Sequence, residues 1–89
     1  EVEVENIPDL LLAAKSGATI VMLDNFTPAQ IKKAILTLKN QKLRNKVLLE
    51  ASGGISAKNI TNYGKTGVDI ISVGSITNSV KGIDVSLEI

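Results

Sequence analysis

The amino-acid sequence predicts an α/β fold of four parallel strands alternating with helices, the arrangement found in one half of an open (β/α) barrel. Short aliphatic or β-branched runs begin at intervals of roughly 20 to 27 residues, which is the length of a strand, a helix and two short loops. Ile, Leu and Val make up about a third of the chain while Phe26 and Tyr63 are its aromatic residues, a bias expected of strands covered by helices. A closed barrel needs eight strands and about 250 residues, and the chain has 89. Residues 1–89 therefore read as a partial α/β barrel domain or, on the residues alone, as a small open α/β sheet. The chain begins inside a strand pattern with no cap before it, as a piece of a larger domain would.

Each element has a local cause. Glu1 to Glu5 alternates with period two, so Val2 and Val4 share one face and the glutamates share the other. Asn6 caps a helix with Pro8 in its first turn and an apolar stripe of Leu10, Leu11 and Ala14, ending near Gly17. Thr19 to Leu23 is nearly all apolar, as a strand buried on both faces should be, and it runs into Asp24 and Asn25. Thr27 and Pro28 open a second helix whose Ile31, Ala34, Ile35 and Leu38 fall on one face, and it should stop around Asn40. Val47 to Ala51 is a third strand closing on Ser52, Gly53 and Gly54. Ser56 is expected to cap a short helix carrying Ile60 and Tyr63, with Gly67 in its C-terminal turn. Val68 to Val73 is the fourth strand, followed by Gly74 and Ser75, and Asp84 to Ile89 is expected as a strand end or part of a helix.

Composition narrows the chemistry. With no Cys and no His, disulfides, thiolate nucleophiles, imidazole catalysis and Cys- or His-ligated metals are excluded. Carboxylates, hydroxyls, lysines and backbone groups remain. No apolar run is long enough for a membrane span or a signal peptide, so a soluble cytoplasmic protein is expected. The net charge of +1 gives no pull toward nucleic acid or membrane. The basic stretch of Lys32, Lys33, Lys39, Lys42, Arg44 and Lys46 lacks interleaved aromatics and reads as solvated helix surface.

In parallel α/β folds ligands bind at the carboxyl ends of the strands. Glu3 and Glu5, Asp24 and Asn25, Glu50 and Ser52, and Gly74 and Ser75 collect at those ends. Any one of them is an ordinary cap or turn former; together they mark a mouth. Ser52, Gly53 and Gly54 offer a hydroxyl and two close-approach backbone positions for a phosphate, and a Cβ at Gly53 is expected to intrude on that cradle. Gly74 adds a second glycine one unit later. Glu3 and Asp24, expected as neighbours across two adjacent strands, have the oxygens to bind Mg²⁺ directly or through water, or to accept hydrogen bonds from sugar hydroxyls.

The segments EVEVEN, GATIVMLDNFTP, LLEASGGI, TGVDIISVGSIT and IDVSLEI, in that order and spacing, resemble the C-terminal part of the quinolinate phosphoribosyltransferase family across essentially the whole chain. The resemblance implies an N-terminal α/β sandwich and an upstream barrel half preceding these residues. It implies transfer of ribose 5-phosphate from phosphoribosyl pyrophosphate to quinolinate, with loss of CO₂ and pyrophosphate, aided by Mg²⁺. By motif it makes Glu3 and Asp24 the catalytic, ribose-binding and metal-placing carboxylates. It assigns the 5-phosphate to Ser52, Gly53 and Gly54 together with Gly74, with Ser72 beside them. It also implies a homo-oligomer, and a chain inactive alone, because the cationic residues for quinolinate and pyrophosphate would lie upstream. Thr77 and Asn78 stand where the family commonly has Thr-His, Val80 to Gly82 replace a Pro-containing link, and Glu88 replaces a usual Lys, so no histidine role carries over. Two alternatives stay open: another phosphosugar-binding barrel enzyme, and a non-catalytic assembly piece.

Overall fold

The computed structural model describes residues 1–73 and the backbone of residues 76–79. Strands β1 (Val2–Val4), β2 (Ile20–Asp24), β3 (Leu48–Ser52) and β4 (Ile70–Val73) are joined through helices α1 (Ile7–Lys15), α2 (Pro28–Asn40) and α3 (Ile60–Gly64). The four strands are parallel, and their order in the sheet is their order in the chain. Among the described residues that order shows none of the reversal that marks a doubly wound sheet. With right-handed crossovers and no reversal of direction, every helix falls on the same face of the sheet, which is barrel winding.

Capping follows the local chemistry. The Asn6 side chain accepts the Asp9 N–H at 2.8 Å. Thr27 and Gln30 form a reciprocal box, with the Gln30 N–H donating to Thr27 Oγ1 at 3.2 Å and the Thr27 N–H to Gln30 Oε1 at 2.8 Å. The expectation at Ser56 is corrected. A turn over residues 57–59 precedes α3, whose N-cap position is Asn59. Ser56 closes that turn instead: its N–H donates to Asn59 Oδ1 at 2.8 Å and its Oγ accepts the Lys58 N–H at 3.3 Å. Two further elements were not foreseen. A 3-10 turn spans Arg44–Lys46, and a fifth strand, β5 (Ile76–Ser79), pairs antiparallel with β4. Gly74, Ser75 and the segment from Asp84 to Ile89 lie outside the described residues.

The core lies between the sheet and the helices. Val21, Leu23, Leu49 and Ile71 are fully buried against Leu10, Ile31 and Leu38, with Ala34 and Ile60 between them. Alternate strand residues face the other way, where no helix of the described residues covers them. Leu48 is 40% exposed on that side, and Ile20 and Met22 are half-buried. The expectation that β2 would be buried on both faces therefore holds, among the described residues, for the helix side alone.

Candidate functional site at the carboxyl ends of the strands

Strand register assigns each polar residue to a row. Glu3 pairs with Met22, Met22 with Glu50, and Glu50 with Ile70, which makes one row across four strands on the uncovered face. The next row toward the carboxyl ends contains Asp24 paired with Ser52. Side chains alternate in direction along a strand, so Asp24 and Ser52 share the uncovered face with Glu3 and Glu50. Glu3 and Asp24 thus face the same side, as the sequence suggests, but they are not directly opposite. Glu3 stands one row deeper and is exposed, whereas Asp24 is half-buried at the rim.

The β2–α2 and β3–α3 loops brace one another above this rim. The Asn25 N–H donates to the Ser52 carbonyl at 2.8 Å, and the Tyr63 hydroxyl donates to the Phe26 carbonyl at 2.9 Å. Asn25 holds φ 59° and Gly53 holds φ 90°, both in the left-handed region. A Cβ added at Gly53 would lie 2.5 Å from Asn25 Oδ1 and 3.1 Å from the Asn25 nitrogen. The space that a Cβ at Gly53 would need is therefore taken by Asn25. Gly54, at φ 70°, differs: a Cβ there would meet nothing within 4 Å. Its carbonyl accepts from Asn59 Nδ2 at 3.0 Å, which ties the loop to the start of α3.

Ser72, in β4, donates its hydroxyl to Glu50 Oε2. Asp24, Ser52, Gly53, Gly54 and Ser72 are thus on or beside one rim, Glu3 is beneath it, and Gly74 lies outside the described residues. Sequence reasoning placed Asn25 and Glu50 at the strand ends and Tyr63 on the third helix but gave none of them a contact in the site. Asn25 packs against Gly53, Glu50 receives Ser72, and Tyr63 reaches back to Phe26. The signals were present: an Asn immediately after a strand-ending Asp, and a lone charge inside the apolar run VLLEA.

The opposite end of the strands carries a cleft of about 700 Å³ lined by Thr19, Lys46, Leu48 and Asp69. Two of its polar groups, Arg44 and Asp69, are engaged structurally. Arg44 donates to the carbonyls of Val47 at 3.1 Å and Gly67 at 2.9 Å and pairs with Asp69 at 3.0 Å, and Asp69 also accepts the Leu49 N–H at 2.9 Å. Lys32, Lys33, Lys39, Lys42 and Lys46 are exposed, as a solvated surface requires. Among the described residues, no helix is long and apolar enough to cross a membrane.

Helices on one face, polar rows on the other and paired loops at the carboxyl ends define an α/β-barrel domain presenting part of a mouth. Residues 1–88 match the family model described as quinolinate phosphoribosyl transferase, C-terminal domain, and the chain belongs to that family. It is 49% identical over 89 residues to a probable nicotinate-nucleotide pyrophosphorylase [carboxylating] of Methanothermobacter thermautotrophicus, a match covering all of this chain and 32% of that protein. Against the nicotinate-nucleotide pyrophosphorylase [carboxylating] of Rattus norvegicus it is 40% identical, covering all of this chain and 29% of that protein. The solved structure of the nicotinate-nucleotide pyrophosphorylase from Francisella tularensis is similar over 94% of this chain and 29% of that one, with a TM-score of 0.71 and 46% identity. The chain spans about a third of the length of the curated relatives it matches, 32% for the first of them.

Proposed function

We propose that this chain supplies the ribose-phosphate half of the active site of an enzyme transferring a phosphoribosyl group from phosphoribosyl pyrophosphate to the ring nitrogen of quinolinate. In that reaction the C1–O bond to pyrophosphate breaks and the N–C1 bond forms. The carboxylate beside the ring nitrogen leaves as CO₂, and the electron pair left on carbon takes a proton. The products are nicotinate mononucleotide, pyrophosphate and CO₂. One observation carries the reading: Asp24 and Ser52 are register partners at the strand ends, next to the positive-φ glycines of the β3–α3 loop. Family membership and the relatives' names support the choice of reaction.

In this reading the backbone at Ser52, Gly53 and Gly54, with Gly74, holds the 5-phosphate, and Ser72 lies beside it. Asp24 and Glu3 receive ribose hydroxyls. The anomeric carbon gains positive charge as pyrophosphate departs, so carboxylates near the ribose favour the transition state over the ground state. Mg²⁺ suits this donor set, because it takes one or two carboxylates while keeping waters and substrate phosphate oxygens. When bound, the ion would offset the charge of the departing pyrophosphate. The cationic groups for quinolinate and pyrophosphate come, in this proposal, from the upstream barrel half and N-terminal domain of a longer protein. That protein is cytoplasmic and homo-oligomeric, and this chain alone is inactive.

The test is turnover by a full-length enzyme carrying this chain, with Mg²⁺, quinolinate and phosphoribosyl pyrophosphate. Asp24→Ala should lower kcat by about 10²- to 10³-fold, the scale of losing one transition-state electrostatic partner, while the melting temperature stays put. An untouched kcat would remove Asp24 from the chemistry. Turnover of another acceptor and none of quinolinate would favour a different phosphosugar enzyme. Failure to bind any phosphosugar would leave an assembly piece.

A further inference from the structure

The Ser52–Gly53 peptide is gripped at two points by the residue that follows β2. Its carbonyl oxygen accepts the Asn25 N–H at 2.8 Å. At its other end, Asn25 Oδ1 and the Asn25 nitrogen lie 2.5 Å and 3.1 Å from where a Gly53 Cβ would stand. The peptide is trans, so its C=O and N–H point in opposite directions within one plane. Strand β3 lies between β2 and β4. With the carbonyl turned to the loop after β2, the Gly53 N–H is turned toward the β4 side of the rim, beyond the register pair of Ala51 and Ile71.

A glycine does not hold such an orientation by itself. It takes positive and negative φ with similar ease, so the peptide before it can rotate and exchange its N–H for its carbonyl. At a phosphate site that rotation replaces a donor with a repelling oxygen. Asn25 supplies the constraint that glycine lacks. Its φ of 59° turns the chain directly after the bond to Ser52 and lays the side chain beside Gly53, and asparagine tolerates that left-handed dihedral better than most residues with a Cβ. Non-glycine residues held in this region gather at ligand clamps. We propose that Asn25 is a positioning residue that locks the Ser52–Gly53 peptide, so that the Gly53 N–H is presented to a phosphate monoester and cannot rotate away. This rests on the phosphate reading of the loop but not on quinolinate as the acceptor, and Asn25 acts through the peptide it holds.

The experiment follows the Gly53 amide by NMR in a full-length enzyme carrying this chain and isotope-labelled at glycine, as ribose 5-phosphate is added. In the parent, the Gly53 signal should move as ribose 5-phosphate binds. Asn25→Val disfavours the left-handed dihedral and should weaken ribose 5-phosphate by about 10-fold, the scale of one hydrogen bond to a charged group, with a smaller movement of the Gly53 signal. Asn25→Gly keeps the dihedral and the N–H but removes the side chain beside Gly53, so a loss of about threefold is expected; it decides alone if the valine variant does not fold. A role confined to stability would lower the melting temperature and leave both readouts as in the parent. Unchanged affinity, or weaker binding with the Gly53 signal moving as in the parent, would overturn the proposal and leave the phosphate loop in place. A parent that does not bind ribose 5-phosphate, or binds it without moving the Gly53 signal, would overturn the phosphate reading and the role of Asn25 together.

Discussion

The two faces of one sheet are built to different rules. On the helix side, Val21, Leu23, Leu49 and Ile71 are fully buried among aliphatic side chains. On the other side the same strands present Met22, Asp24, Glu50 and Ser52, of which Glu50 alone is buried. A period of two lets one five-residue strand serve both without compromise. The helix face is governed by volume and burial; the uncovered face is governed by which oxygens reach the strand ends. Stability and ligand binding should therefore separate by residue parity along β2 and β3, and substitutions can be chosen to break that separation.

The largest expected effect tests the buried side. Leu49 has no exposed surface, and Leu49→Ala should cost about 3 kcal/mol, from lost transfer energy and the cavity left behind. Denaturant unfolding reads this directly. Below the transition, KM for the phosphoribosyl substrate should be unaltered, although Leu49 is next to Glu50 in sequence. A raised KM in the folded variant would show that the faces communicate through the strand backbone.

How much of this was legible in the sequence follows the same division. The helix face was readable because periodicity and caps are local: Asn6, Thr27 and Pro28 start the helices where they should, and Ile31, Ala34, Ile35 and Leu38 are all buried in α2. The rim residues Asp24 and Ser52 were readable because strand ends are marked by a change from apolar to polar. What stayed hidden depends on register or on contacts between distant residues. The one-row offset between Glu3 and Asp24 is a matter of how β1 slides against β2. Asn25 filling the space beside Gly53 joins two loops far apart in the chain. Ser56 was misread because a turn inserted before α3 supplies the same polar signals as a helix start.

A smaller effect is expected where the loops meet. Gly53→Ala places a Cβ against Asn25 Oδ1, at 2.5 Å, in a backbone with φ 90°. Strain of the left-handed region and the collision together should cost about 2 kcal/mol. The two parts can be separated. Asn25→Gly should restore about half of that loss in the Gly53→Ala background, because it removes the side-chain collision and leaves the backbone strain. Thermal unfolding of the single and double variants checks this. No restoration would mean that Gly53 is required by its dihedral angle and by the Asn25 backbone 3.1 Å away, and not by the Asn25 side chain.

The smallest effect bears on a side chain that joins the two regions. Tyr63 is buried in the helix layer with 8% exposure, yet its hydroxyl crosses to the Phe26 carbonyl in the loop that follows Asp24 and Asn25. Tyr63→Phe keeps the ring and leaves that carbonyl without this donor, at a cost of about 1 kcal/mol. If the bond only stabilises, KM stays constant and parity separates the two faces completely. The geometry favours coupling, because Phe26 is joined directly to Asn25, and Asn25 in turn abuts Gly53 and donates to the Ser52 carbonyl at 2.8 Å. A loosened Phe26 therefore shifts the base of the proposed phosphate loop, and KM for the phosphoribosyl substrate should rise about twofold to threefold, less than 1 kcal/mol of binding. A stability loss with KM unmoved would show that the Asn25–Ser52 bond holds the loop by itself.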